Sequence, residues 1–151
     1  MISDSQYIKD VLSHREEVKS LVLEFVKKLT VQANNHDTSK LKDPEKTIFM
    51  ENDKNYRKIK YGTEEYKEHL EKIKPALKHH YENNRHHPEH FENGIRDMNL
   101  VDIVEMFFDW YAVSNDIEKS LFYNEKRFKY SEDLTQIFIN TVDLMKNSGK
   151  C

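Results

Sequence analysis

The sequence predicts an all-α protein, and three observations carry that prediction. Glycine and proline number only three each in 151 residues, too few to punctuate a many-stranded β fold. Apolar residues near the start recur at three- and four-residue steps, the period of an amphipathic helix. A later stretch around Leu100–Ala112 is apolar over most of its circumference, as a helix central to a fold would be. The length fits one domain, 1–151, large enough to bury a core.

The first helix is expected over about Ser5–Leu29, where Val11, Val18, Leu21, Val22, Phe25 and Leu29 make one buried stripe. His14 lies between Val11 and Val18 on that stripe and is expected to face inward. Residues 31–41 read as a polar connection carrying the pair His36-Asp37. Asp43-Pro44-Glu45 is a helix start, with Asp as cap, Pro in the first turn and an acid against the dipole. That second helix is weakly apolar and should end near Gly62. Thr63-Glu64-Glu65 caps a third helix running towards Tyr81 or Asn84, and Pro75 inside it predicts a kink or break.

Residues 85–99 read as a loop, because Pro88 disfavours helical geometry at His87 and Asn93-Gly94 signals a turn. A fourth helix follows over about Asn99–Asn115. The Lys119–Tyr130 region should begin as helix and then become a connection. Ser131-Glu132-Asp133 opens a last helix that ends before Gly149. Phe122, Tyr123, Phe128, Tyr130 and Phe138 crowd the last third and are expected to finish the core, with a homodimer left open.

Composition narrows the partners. A net charge of −3 argues against binding duplex nucleic acid, though a local basic pocket can still take a nucleotide-sized anion. Charged residues make up 34% and no run of about 18 apolar residues occurs, so no membrane span is expected. The start, Met1-Ile2-Ser3-Asp4, lacks the basic and apolar regions of a secretory signal. The single cysteine, Cys151, cannot form an internal disulfide. The expected setting is therefore cytoplasmic.

Six of the eight histidines, His69, His79, His80, His86, His87 and His90, fall in one short stretch, and His36 directly precedes Asp37. Neutral imidazole beside carboxylate is the usual ligand mixture for divalent ions such as Zn, Fe, Mn and Co. On the fourth helix Asp102, Glu105 and Asp109 share one narrow sector, at three- and four-residue steps. Like charges so placed repel, more strongly when desolvated, and a cation offsets that repulsion. The same sector could instead be the sliver facing solvent, so membership of Asp102 and Glu105 in a site stays open. His69 and His79 read as surface helix residues. His90 could stack on Phe91. Glu89 could orient a ligand histidine or serve only as helix-start chemistry.

Taken in chain order, His14, His36-Asp37, the clustered histidines and Asp109 resemble the HD superfamily of metal-dependent phosphohydrolases. His14-Arg15-Glu16-Glu17-Val18 is similar to that superfamily's first-histidine helix. Thr38-Ser39-Lys40 is similar to the continuation of its His-Asp pair, and Asp109 in Glu105-Met106-Phe107-Phe108-Asp109-Trp110 matches its last Asp. A closer resemblance, covering nearly the whole chain, is to an uncharacterised family of phages and bacteria. It rests on His36-Asp37-Thr38-Ser39-Lys40, the Tyr61-Gly62 turn and the string from His80-Tyr81 through Asn84-Arg85-His86-His87-Pro88 to His90-Phe91. Glu105-Met106, Asp109-Trp110 and Asn140-Thr141 complete it.

The HD likeness implies an HD-domain-like helical bundle with a buried metal site holding one or two divalent ions (Mn, Fe, Co, Zn or Mg). It implies hydrolysis of a small phosphorylated substrate, a nucleotide or cyclic nucleotide by analogy, in the cytoplasm of a bacterium or a phage-infected cell. His14, His36 and Asp109 would hold a first metal, with Asp37 completing it or bridging to a second. His80, His86 and His87 would hold the second; simple single-metal members lack the double His86-His87. Asp37 and Lys40 would be catalytic, Lys40 also meeting phosphate or the leaving group, and Arg85 would contact an anionic substrate. Two other readings stand beside this one: a di-iron oxygenase on the same scaffold, and a non-enzymatic helical interaction protein with a structural metal.

Overall fold

In the computed structural model, residues 2–56, 59 and 62–147 are described; Tyr61 and Cys151 lie outside them. Among the described residues there are six α-helices and no strand: α1 (Asp4–Asn34), α2 (Glu45–Tyr56), α3 (Glu64–Asn83), α4 (Leu100–Val113), α5 (Ile117–Phe128) and α6 (Glu132–Asn147). Short 3-10 turns occupy Thr38–Leu41, Pro88–His90 and Gly94–Asp97. None of the described helices is long and apolar enough to cross a membrane. The chain divides into two compact units, Met1–Asn35 and His36–Cys151.

The first unit is essentially α1. Ser3 caps it, its side chain accepting from the Gln6 amide at 3.2 Å. The helix runs five residues past the predicted Leu29, so the first part of the expected connection is helical. Taken by itself this unit is a single helix with no partner of its own to bury a stripe against, and Val11, Val18, Leu21 and Val22 are exposed with Phe25 and Leu29 half-buried. His14 lies on the same face of this helix as Val11 and Val18. Periodicity identifies which side chains share a face but carries no information on what covers that face.

In the second unit α2 packs against α3, and α5 against α6. Asp43 caps α2 as expected, accepting from the Thr47 amide at 3.3 Å; the helix is described to Tyr56, and residues 57, 58, 60 and 61, towards its expected end, lie outside the described residues. Gly62 itself sits at φ +82°, a turn conformation open to glycine. Thr63 caps α3, accepting from the Tyr66 amide at 3.2 Å. That helix passes through Pro75 without the expected break. Ile73 and Ala76, on either side of the proline, are buried, and this packing outweighs the one hydrogen bond the proline forgoes.

The connection after α3 behaves as the sequence requires, with His87 extended before Pro88 at φ −93° and ψ 126°. Asn99 then starts α4 with a capping box: its side chain accepts from the Val101 and Asp102 amides, and Asp102 Oδ2 accepts from the Asn99 amide at 3.1 Å. Met106 and Phe107 of α4 join Met98, Leu121, Phe138 and Val142 in the apolar core. Phe107 stacks on Phe138 with centroids 5.0 Å apart, and Trp110 stacks on Phe128 at 5.9 Å.

α5 is a full helix to Phe128, where a connection had been expected from partway along. Asp116 caps it and Lys129, at φ 54°, ends it. The late aromatics divide accordingly. Phe138 is core, Phe128 and Tyr130 are half-buried, and Phe122 and Tyr123 are exposed.

Candidate metal centre

The polar end of the second unit is built from four short pieces and one face of α4. Just after α1 ends, Asp37 takes the left-handed conformation at φ 56°, which an Asp side chain tolerates better than most, and starts the 3-10 turn holding Ser39 and Lys40. The first turn of α2 supplies Glu45, which is fully buried, and the last turn of α3 supplies His79 and His80. Asn84 ends α3: its side-chain amide donates to the His80 carbonyl at 2.7 Å and to Ser39 Oγ at 2.7 Å. The backbone then turns, the His87 amide donating to the Asn84 carbonyl at 3.3 Å. His86 and His87 thereby face His80, with ring centroids at 6.1 and 4.7 Å from it.

Asp37 stands at the middle. Its Oδ1 lies 3.4 Å from His80 Nε2 and 3.6 Å from His86 Nε2, and His80 Nε2 lies 2.8 Å from His87 Nε2. Asp37, His80, His86 and His87 thus offer ligand atoms all within 4.8 Å of one another, as do His36, His86 and Glu105. Asp37 Oδ1 and His86 Nε2 are buried without any hydrogen-bond partner. Orphaned buried polar atoms are costly and uncommon. Four ligands about 2.1 Å from a tetrahedral ion stand about 3.4 Å apart. The contacts of Asp37 Oδ1 match that spacing and are too long for hydrogen bonds. The donor set fits a divalent cation.

Two carboxylates stand behind the rings. Glu45 Oε2 is 2.8 Å from His80 Nδ1 and Oε1 is 2.6 Å from His79 Nδ1, while Ser39 Oγ donates to Oε2 at 3.0 Å. Glu105 Oε1 is 2.9 Å from His36 Nδ1 and 3.3 Å from His86 Nδ1. On the other side of His36, Nε2 lies 3.5 Å from Asp37 Oδ2 and 3.6 Å from Asp109 Oδ1. Carboxylates that accept from a ligand imidazole are the usual outer support of a metal site.

The charge states suit the same reading. Burial lowers the His80 pKa from its ordinary value despite the Glu45 hydrogen bond. Burial, reinforced by the like-charged His86 and His80, depresses His87 to about 3. Both rings are therefore neutral at pH 7, one Nε2 donating to the other across the 2.8 Å contact, and neutral imidazole is the form that can ligate a cation. Burial alone would raise the Asp37 carboxyl, but the hydrogen bond and charge of Lys40, with His36 and His80, hold it below its ordinary range. Burial likewise works against the Glu45 carboxylate, and hydrogen bonds from His79, Ser39 and His80 outweigh it.

Of the residues singled out in the sequence, His36, Asp37, His80, His86, His87 and Asp109 come together. Lys40 Nζ donates to Asp37 Oδ2 at 2.6 Å at the edge of the group. Arg85 is engaged elsewhere: its guanidinium makes a two-pronged contact with buried Asp102 at 3.1 and 2.9 Å and lies over the Phe91 ring. His14 belongs to the first unit, and this group is built entirely from residues of the second.

Several expectations need correction. His69 is buried, and His79 is held by Glu45, so neither is a plain surface residue. Glu89 pairs with Arg127 at 2.8 Å. His90 does pack edge-on against Phe91, at 4.7 Å. The residue that sequence reasoning missed is Glu45, read only as dipole chemistry at a helix start. No local signal separates that role from support of a histidine 34 and 35 positions away. Glu105, left open from the sequence, belongs to the group, whereas Asp102 is spoken for by Arg85 and the cap.

Residues 3–146 match the family model described as Family of unknown function (DUF5662). The chain belongs to this family. That agrees with the near full-length likeness to an uncharacterised family read from the sequence, and the match is not to the HD superfamily. No curated protein and no solved structure matches the chain.

Proposed function

We propose that the protein is a metal-dependent phosphohydrolase acting in the cytoplasm on a small phosphorylated molecule. The observation that carries this reading is Asp37, with one oxygen orphaned among three histidine Nε2 atoms and the other facing His36 and Lys40. His80, His86, His87 and Asp37 would hold one divalent ion, and His36 with Asp109 would support a second that shares Asp37. A divalent ion bound there would supply a nucleophilic water at neutral pH and offset charge on phosphoryl oxygens. Lys40, half-exposed at the rim, is placed to meet a phosphoryl oxygen or to protonate the leaving oxygen, with its contact to Asp37 holding it there. The preference for a nucleotide or cyclic nucleotide comes from the HD likeness alone.

The test is elemental analysis of the purified protein, joined to a phosphatase screen over nucleotides with Mn, Co, Mg and Zn. Stoichiometric metal and a metal-dependent release of phosphate, lost in a folded Asp37→Asn variant, are expected. Protein without metal, and without activity under any of them, overturns the reading. Two tightly held irons with an oxygen-sensitive spectrum would move the assignment to an oxygenase. A structural metal is favoured by a separate observation: Asp37, His80, His86 and His87 alone can fill a tetrahedral ion. Under that reading His80→Ala, which removes one of those four ligands, unfolds the protein, whereas a catalytic site gives a folded, inactive one.

A further inference from the structure

We infer that Glu45 and Glu105 are positioning residues that lock the histidine rings in the Nδ1–H tautomer, leaving each Nε2 lone pair aimed at Asp37. An ionised carboxylate only accepts hydrogen bonds, and a neutral imidazole has one donor nitrogen and one acceptor. His79 and His80 both present Nδ1 to Glu45, at 2.6 and 2.8 Å, so both donate from Nδ1. His36 Nδ1 donates to Glu105 Oε1 at 2.9 Å, and His86 Nδ1 faces the same oxygen at 3.3 Å.

The opposite nitrogens follow from this. The Nε2 atoms of His36, His80 and His86 carry lone pairs and stand 3.5, 3.4 and 3.6 Å from the oxygens of Asp37, and in the metal-free chain the His80 lone pair accepts from His87 Nε2 at 2.8 Å. Lone pair then faces carboxylate three times over, an arrangement that repels unless a cation lies between. Glu45 is fully buried and Glu105 nearly so, as rigid support for a ligand set requires. Asn84, at the end of α3, spends its two amide protons on the His80 carbonyl and Ser39 Oγ, both at 2.7 Å, and its nitrogen lies 3.0 Å from His80 Nδ1, while Ser39 Oγ donates to Glu45. The inference rests on the metal reading above, and it is tested first on the metal-free protein so that the two can fail separately.

Long-range proton–nitrogen NMR on metal-free protein near pH 8 reports which ring nitrogen carries the proton. His80 and His86 are expected as Nδ1–H; either ring protonated on Nε2 overturns the inference. Zinc titration follows on Glu45→Ala. A 10–100-fold loss of affinity is expected, with His80 moved to Nε2–H and the helical circular dichroism unchanged. Glu45→Gln, which keeps one acceptor oxygen, should lie between that variant and the wild type. A folded Glu45→Ala that binds zinc as the wild type does overturns the role of Glu45. If Glu45→Ala does not fold, Glu105→Gln with the wild-type tautomers decides. Wild-type protein that binds no zinc or other divalent ion removes the proposed function, and the tautomer of His80 in Glu45→Ala then judges the inference alone.

Discussion

Glu105 and Met106 are neighbours on α4, yet they are buried in opposite kinds of surroundings. Met106 and Phe107 lie in an apolar core of Leu121, Phe138 and Val142, where each side chain is satisfied by filling space. Glu105 turns to His36 and His86, in an interior where two polar atoms have no partner at all. The apolar interior is complete as it stands. The polar interior leaves Asp37 Oδ1 and His86 Nε2 without a partner at a spacing that a cation could fill, and that difference separates what holds the fold from what the fold could hold.

The sharpest way to break the comparison is to damage one interior and read the other. Phe107, 2% exposed and stacked on Phe138, should cost about 3–5 kcal/mol when truncated in Phe107→Ala, measured by denaturant unfolding. The zinc bound per folded chain should not change; a parallel loss of metal would show that the two interiors are coupled. Zinc supplied at 100 times its dissociation constant should stabilise the wild type by about 2.7 kcal/mol. Phe107→Ala should keep that increment and His86→Ala should lose it. An unchanged increment in His86→Ala would remove that ring from the ligand set.

A smaller effect distinguishes the two buried acids of α4. Asp102→Asn retains a capping acceptor but strips Arg85 of its charge partner, and Arg85 is half-exposed and can turn to water. About 1–2 kcal/mol of stability should be lost, with zinc affinity unaltered; a large fall in affinity would place Asp102 in the site.

The smallest effect lies at alkaline pH. Burial raises the Tyr130 hydroxyl from 10.0 to about 12, with the Thr135 hydrogen bond working against the shift and Glu125 with it. The folded chain therefore binds that proton more tightly than the unfolded one. The contribution is fully present below pH 10 and is lost as pH rises to about 12. Tyr130→Phe should flatten this part of the stability profile, at the expense of the bond from its hydroxyl to the Leu121 carbonyl. A slope unchanged in the variant would assign the alkaline loss to other groups.

Much of the second unit was legible from residue types. Asp43, Thr63 and Asn99 mark helix starts because a short polar side chain satisfies free amides, a local effect that needs no knowledge of the fold. His87 before Pro88 is extended for an equally local steric reason. His36, Asp37, His80, His86 and His87 were legible as candidate ligands from their residue types, and the structure brings them together in groups that could hold a metal ion. Less was legible where the decisive neighbour is remote. Pro75 leaves α3 intact because of packing on either side, and the apolar spacing of α1 names a face without naming its partner.

The sequence by itself determined the helical class, most helix starts and the identity of the candidate ligands, since these depend on local sterics, capping and donor chemistry. Only the tertiary structure decided their partners. It brought Glu45 behind His80 and His79, set Glu105 between His36 and His86, gave Arg85 to Asp102, and left Asp37 Oδ1 and His86 Nε2 facing each other without a proton donor. Which lone pair points where depends on groups tens of residues apart being packed together. A chain read residue by residue holds the ligands but not their orientation.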